Sequence, residues 1–401
     1  MDTGKDTRWS VVMAAVGAGI IGAAHIGKIP AALPMMRSEL SLDLIAAGWV
    51  VSIYSATGMT LGMLIGVFAD RIGHRALAVL GVALMGVGSA LGALATDAFF
   101  LLASRFIEGL GFVVAVVTAP SLIACAVGPS HKRFAFGLWG SFMSTGMGAM
   151  LVLSPMVLAA WGWRGAWLVM AAASFAWALN MAIVLRTMPQ GASAPGRGAR
   201  AWHDIAVTAA APGPWLLAVC FGCYTLLWTA LMVWLPTFLL EQRGAGLGGA
   251  ALLTVVIILV NLPGNIIGGG LNQRGIRRWR LIAFVGVLFT IAGPLIFLNL
   301  LSDAARFALA LVFSFFGGFL PASVLGAAPV FSPTPAQIGA TNGLLVQGSH
   351  LGQFVGPPLV AAAVAFFGGW QAGAWIFGAC GVGIIAFSLL IGRAEARLAQ
   401  D

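Results

Sequence analysis

Charge is what this 401-residue chain has least of: Asp and Glu number 12, Lys and Arg 21, and charged residues make up 8% of the total. Soluble globular domains carry about 25%. A water-facing surface cannot be coated from so small a stock, so a soluble fold is excluded. A disordered chain would need low hydrophobicity and high charge, the reverse of this balance. The formal charge of +9 comes from scarce acids and not from a dense basic face, which argues against nucleic acid as a partner. Cysteines are also few. Cys125, Cys220, Cys223 and Cys380 all lie in apolar runs, so no disulfide-stapled scaffold is indicated. Cys220 and Cys223, at i,i+3 in such a run, read as packing and not as a redox or metal motif. HExxH, a P-loop, a nucleophile elbow and a dinucleotide fingerprint are missing. The sequence therefore points to no enzyme, no cofactor and no direct ATP coupling.

Apolar residues are what is abundant, at 60% of the chain. A helix needs about 20 of them to cross a bilayer. With that ruler the chain reads as an all-α membrane protein of twelve spans: 10–36, 44–69, 76–96, 98–127, 134–159, 163–186, 213–240, 247–271, 279–301, 305–331, 337–367 and 370–392. The first run is too long for a signal-peptide core and reads as a span. The polar stretch 187–212, with Gln190, Ser193, Pro195 and Gly196, falls near the midpoint and reads as a flexible cytoplasmic linker. It separates two six-helix bundles, 1–186 and 213–401, and leaves no room for a soluble domain.

Basic residues orient this topology. With both termini in the cytoplasm, 15 of the 21 Lys and Arg fall on the cytoplasmic side. Arg37, Arg164, Arg243 and Arg306 fall opposite, and Lys28 and Arg105 remain within spans. The reading is a multi-pass protein of the cell's inner membrane, with the lipid bilayer and a small-molecule solute as its partners.

The halves repeat. The turn after the second span runs Gly66-Val-Phe-Ala-Asp70-Arg71-Ile-Gly73-His-Arg75, and the turn after the eighth runs Gly268-Gly-Gly-Leu-Asn272-Gln273-Arg-Gly275-Ile-Arg277. The sixth and twelfth spans open alike, with Gly162-Trp163-Arg164 and Gly369-Trp370-Gln371. Duplication about a midpoint linker is typical of secondary transporters. Gly66 to Arg75 matches, position for position, the G-x-x-x-D-R-x-G-x-R signature of the major facilitator superfamily, and Arg105-Phe-Ile-Glu108-Gly109-Leu-Gly111 is similar to that family's R-x-x-x-G-x-G element. The resemblance covers the whole chain. It implies that Gly66, Asp70, Arg71, Gly73 and Arg75 form a gating clasp between the halves, weaker in the second copy where Asn272 replaces the acid. In texture, His25-Ile-Gly27-Lys28-Ile-Pro30 and Gly352-Gln353-Phe-Val-Gly356-Pro357-Pro358 resemble the cyanate/nitroimidazole-type branch. The antiporter-type fifth-span motif is not met: that span reads Gly140-Ser-Phe-Met-Ser144-Thr145-Gly146, with its proline only at Pro155.

Charges inside a membrane are costly and mark functional sites by default. Here they are Lys28 and Arg105, His25, Glu108 and His350. Counting from span ends at 1.5 Å per residue puts Lys28 roughly 12 Å and Arg105 roughly 10 Å deep. His25 and Glu108 lie one turn further in. The expectation is two layers: Lys28 and Arg105 as an upper, substrate-binding pair for a small anion, and His25 and Glu108 as a lower, proton-coupling pair. In the second half, Tyr224 and Trp228 are substrate-binding candidates, with Asn261, Asn265, Asn342, Gln347 and Gln353 as softer ones. The function read from this is alternating-access, proton-coupled transport of a small organic anion. The alternative is proton-antiport efflux of hydrophobic compounds, for which 25 Phe and 15 Met could line a permissive pocket. A phosphatase reporter fused after the twelfth span is expected to be silent and a cytoplasmic fluorescent reporter there to be bright. The opposite pattern would reverse the orientation.

Overall fold

A computed structural model describes residues 7–186, 197–243, 247–298 and 300–398. Among them there is no strand. Eleven helical stretches are long and apolar enough to cross a membrane. One of these, Phe142–Leu185, has 44 residues, about 66 Å of helix and twice a bilayer core. It is broken at Gly162, whose φ of 63° and ψ of −173° are non-helical. The stretch is therefore two spans, and the total is the twelve expected.

The scarce polar residues are spent on span ends, where backbone N–H groups lose their helical partners and the membrane offers no water. Asp43 accepts from Ala46 N at 2.6 Å at the start of the second span. Asp97 accepts from Phe100 N at 2.8 Å at the start of the fourth, Ala98–Ala126. Ser302 accepts from Ala305 N at 3.3 Å at the start of the tenth. Proline acts at the other kind of break. The tenth span is interrupted between Asp303–Gly317 and Phe319–Phe331, where Pro321 has no N–H to return to Gly317.

The chain gathers into two compact units. The first is Met1–Leu42 with Leu64–Arg200, the second Asp43–Met63 with Ala201–Asp401. In the first, the first span (Trp9–Glu39) and the fifth lie backbone to backbone. A Cβ on Gly146 would come 2.1 Å from Ile20 O, and one on Gly27 2.7 Å from Met147 O. Small residues allow such approach where lipid gives helices no hydrophobic reason to associate. The second unit repeats the device in its seventh and eleventh spans, where a Cβ on Gly352 would lie 2.1 Å from Gly222 O. The eleventh span also carries the N-terminal part of the second: Ser55 Oγ donates to Gln353 Oε1 at 3.2 Å, and Gly58 lies against the His350 ring.

The sequence repeat reappears as paired turns. Gly73 (φ 104°) and Gly275 (φ 89°) close the two equivalent short turns, and Gly162 (φ 63°) and Gly368 (φ 76°) open the sixth and twelfth spans. All four are in the left-handed region that side chains resist. After each of the latter glycines a tryptophan is buried, Trp163 and Trp370. Trp163 Nε1 donates to Glu39 Oε2 at 2.6 Å, Glu39 also pairs with Arg164, and Arg164 donates to Ala95 O at 2.9 Å. This ties together the ends of the first, third and sixth spans.

In the stretch expected to be a flexible linker, Arg197–Ala210 is a helix. It is held to the eleventh span by Gln337 Nε2, which donates to Asp204 Oδ1 at 2.7 Å. An anchored segment orders even without a core of its own. In the signature turn Gly73 is described, whereas the side chains of Gly66, Asp70 and Arg71 lie outside the described residues. Gly146→Val is expected to lower stability by about 1–3 kcal/mol through overpacking, read as a drop in midpoint on thermal unfolding in detergent. An unchanged midpoint would mean the first and fifth spans are not in backbone contact.

Candidate functional site

In the first unit, four intramembrane residues converge from two helices, and all four are fully buried. Lys28 Nζ lies 2.6 Å from Glu108 Oε1, 2.8 Å from Ser89 Oγ and 3.2 Å from His25 Nδ1. Three acceptors match the three N–H bonds of an ammonium. A fourth side is covered by the Trp167 ring, with its centroid 4.2 Å from Nζ, in reach of a cation–π interaction. Arg105 donates to the other Glu108 oxygen, Oε2, and to His25 O at 3.2 Å. One carboxylate thus serves two cations.

The same bonds assign the imidazole. Lys28 has no acceptor, so His25 Nδ1 must accept, and the proton sits on Nε2. Nε2 then donates to Ser174 Oγ at 2.9 Å, and Ser174 Oγ donates onward to Met170 O at 2.8 Å. His25 Nδ1 is also 3.4 Å from Glu108 Oε1. Nδ1, Lys28 Nζ and that oxygen therefore form a tight triangle through which a proton can be re-sited without moving a helix.

The expected two layers do not exist. Lys28 is not in a layer lacking an acid, because Glu108 reaches it from the fourth span. The reason is side-chain direction. A helical Cβ leans toward its own N-terminus, and the first and fourth spans, an odd and an even crossing, run in opposite directions. Lys28 therefore leans toward the level of Glu108 while Glu108 leans toward that of Lys28, which closes a one-turn gap estimated from Cα positions.

Sequence reading missed the third and sixth spans. Ser89, Trp167 and Ser174 complete the network. Gly88 makes room for it: a Cβ there would meet Glu108 Cγ at 2.7 Å. The usable signal was the small-residue run Gly88-Ser89-Ala90-Leu91-Gly92 in a span. Trp167 also brings a buried Nε1–H that has no hydrogen-bond partner in the structure.

The second-half candidates gather separately, inside the second unit. Asn261 Nδ2 donates to Tyr224 OH at 3.2 Å and to Ser314 O at 2.7 Å, and Trp228 Nε1 donates to Ser314 Oγ at 3.3 Å. Asn265 Nδ2 donates to Asn261 Oδ1 at 2.9 Å. Gln353 belongs to the seam with the second span, as does His350. Among the described residues Asn342 and Gln347 hydrogen-bond in neither cluster, and Gln347 lies beside Gly62 of the second span.

A family model described as Major Facilitator Superfamily matches residues 10–357. The chain belongs to the major facilitator superfamily. Among curated members it is 27% identical over 381 residues to the probable sulfoacetate transporter SauU of Cupriavidus necator, covering 90% of this chain and 88% of that one. It is 25% identical over 353 residues to the putative niacin/nicotinamide transporter NiaP of Bacillus subtilis, covering 86% of each. A methylenomycin A resistance protein of B. subtilis is 29% identical over 139 residues, 34% of this chain. Among solved structures, a bacterial homolog of the human lysosomal transporter Spinster, in an inward-facing and occupied conformation, superposes with a TM-score of 0.78 at 17% identity over 98% of this chain and 97% of that one, a likeness of fold. The protein is thus a multi-pass membrane transporter of this superfamily and not an enzyme.

Glu108 is the one buried acid among the described residues. Glu108→Gln is expected to cost about 3–5 kcal/mol, the effect of stripping a buried ion pair of one partner. Lys28→Met combined with Glu108→Gln should cost clearly less than the two single changes added together, measured by thermal unfolding of the four proteins. Strict additivity would show that the two groups do not share energy.

Proposed function

We propose that this superfamily member is a proton-coupled secondary transporter of a small organic anion. The observation that carries the reading is the sharing of one carboxylate by two buried cations. With His25 neutral, the cluster holds one positive charge more than its acids offset, in a medium where charge is costly. A solute carboxylate or sulfonate can take the place of Glu108 between Lys28 and Arg105, since both cations already hold a carboxylate in this geometry. The unpartnered Trp167 N–H offers a further donor at the same cation. Glu108, displaced from its cations inside the membrane, is then uncompensated and takes up a proton. Anion and proton occupy the protein together, which is the chemistry of a symporter. His25 and Ser174 offer the displaced proton a path along the network.

Two relatives matched along most of their length support the solute class: sulfoacetate and niacin both carry an acid group, while nicotinamide, the other solute in the second relative's name, is the uncharged amide of niacin. The resistance proteins among the relatives match this chain over shorter stretches, which favours the anion reading over efflux of hydrophobic compounds. Tyr224, Trp228 and Asn261 are read as a neutral hydrogen-bonding cluster for the uncharged part of the solute. The signature residues Gly66, Asp70, Arg71, Gly73 and Arg75 are read as gating residues, in a protein of the inner membrane with cytoplasmic termini.

The test is uptake of sulfoacetate, nicotinate and small mono- and dicarboxylates into proteoliposomes with and without an inward proton gradient. Uptake is expected to require the gradient. Lys28→Ala and Arg105→Ala are each expected to lower it about 10- to 100-fold, the worth of a lost charge-assisted hydrogen bond. Full uptake in both variants would overturn the anion site. Gradient-independent uptake by the native protein would overturn the coupling.

A further inference from the structure

Six arginines gather at one end of the second unit. Arg274, Arg277, Arg278 and Arg280 lie on or beside the turn between the eighth and ninth spans, and Arg393 and Arg397 lie near the end of the twelfth. Turn and helix end are held together: Arg278 donates to Glu395 Oε1 at 3.2 Å, and Trp279 packs on Gly392. Glu395 is the only acid within 270–282 and 391–398, and Arg278 occupies it. The other five arginines are exposed. The ninth span, Arg278–Phe297, has Arg277 as its N-cap and no side-chain cap, so its first-turn N–H groups add a partial positive charge to the patch. Arg280 lies over the Trp279 ring at 5.6 Å, and Ile276 is 38% exposed.

Part of this basicity is shared by the repeat: Arg277 stands where the first copy has Arg75, whereas Arg274, Arg278 and Arg280 stand where it has Ile72, Ala76 and Ala78. The first copy carries Asp70 and Arg71 where the second carries Asn272 and Gln273. Asn272 turns inward and donates to Ser323 Oγ at 3.1 Å, while Arg274, Arg277 and Arg280 stay outside. The second copy has lost the Asp70–Arg71 pair of the first and gained three arginines at the junction of two membrane-crossing helices.

We propose that this patch binds the phosphodiester headgroup of an anionic phospholipid. Charge complementarity selects an anion. The half-buried Trp279 and the exposed Ile276, beside the arginines at the ends of membrane-crossing helices, select a lipid over a soluble phosphate, because an indole and an aliphatic side chain at this level meet acyl and glycerol groups. Arginines near an anionic surface each strengthen attachment about fivefold, so three of them compound to roughly a hundredfold. The patch is separate from the buried cluster of the first unit, and the inference stands whatever the solute.

The test is titration of phosphatidylglycerol into the purified full-length protein in a neutral detergent, with bound lipid counted by native mass spectrometry and phosphatidylcholine as the comparison. The native protein is expected to retain phosphatidylglycerol in preference to phosphatidylcholine. The triple variant Arg274→Gln, Arg277→Gln, Arg280→Gln is expected to lose about a hundredfold in apparent affinity for it, with its thermal midpoint in detergent unchanged because the three side chains are exposed. Arg186→Gln, an exposed arginine at the end of the sixth span, is expected to keep it. Equal retention of the two lipids, or equal phosphatidylglycerol binding by the triple variant, would overturn the proposal. So would displacement of the lipid by millimolar inorganic phosphate, which would identify a site for soluble anions.

Discussion

The Glu108 carboxylate, gripped by Lys28 on one oxygen and Arg105 on the other, is the constraint around which the first unit is arranged. Each of the three ions alone would be prohibitively expensive inside a membrane. Together they are tolerable only if every donor is satisfied, and much of the nearby packing serves that end. Ser89 takes the second proton of Lys28 and passes a bond to Trp167 O at 2.7 Å. His25 takes the third and is itself fixed by Ser174. Gly88 leaves the space that Glu108 fills. The third and sixth spans, which contribute no charge, are therefore as much part of the site as the first and fourth.

Such a network differs from a packed apolar core in one respect that matters for transport. Apolar packing has no preferred exchange partner, whereas a carboxylate held by two cations can be replaced by another carboxylate with little change in geometry. In the function proposed above, the cost of the replacement falls on the displaced Glu108, and this is what couples an anion to a proton. Among the described residues, the second unit offers no ionic counterpart around Tyr224. Its cluster of Asn261, Ser314 and Trp228 is made of neutral donors and acceptors. The two halves, built on one repeat, thus keep the same helix contacts and turns but carry different chemistry.

The repeat itself shows which features backbone geometry imposes. The glycine turns recur at equivalent positions, as do the glycine approaches between the first and fifth and the seventh and eleventh spans, because a side chain there would collide with backbone. Residues facing outward have diverged. The turn between the eighth and ninth spans, for example, carries exposed arginines at 274 and 280 where the first copy has Ile72 and Ala78.

Composition, run length and the positions of Gly and Pro were enough to read twelve spans, their boundaries to within a few residues and the duplication. The reason is that a bilayer demands helices of one length with saturated backbones, and that demand is written locally. That His25, Lys28, Arg105 and Glu108 lie within spans was legible for the same reason, since so few ionisable residues enter a membrane. Their arrangement was not. Depth counted along each helix put Lys28 and Glu108 a turn apart, and only the opposed lean of side chains on antiparallel helices brought them together. Ser89 lay in a readable run of small residues, but Trp167 and Ser174 could not be singled out among many small and aromatic residues of the spans. The helical order of Arg197–Ala210 was hidden too, because its anchor is a contact with Gln337, 133 residues away. What the sequence determined by itself was every property that depends on one helix and the bilayer. What the tertiary structure decided was the pairing of charges, because ion pairs depend on distances between helices and on side-chain direction, which no single span encodes.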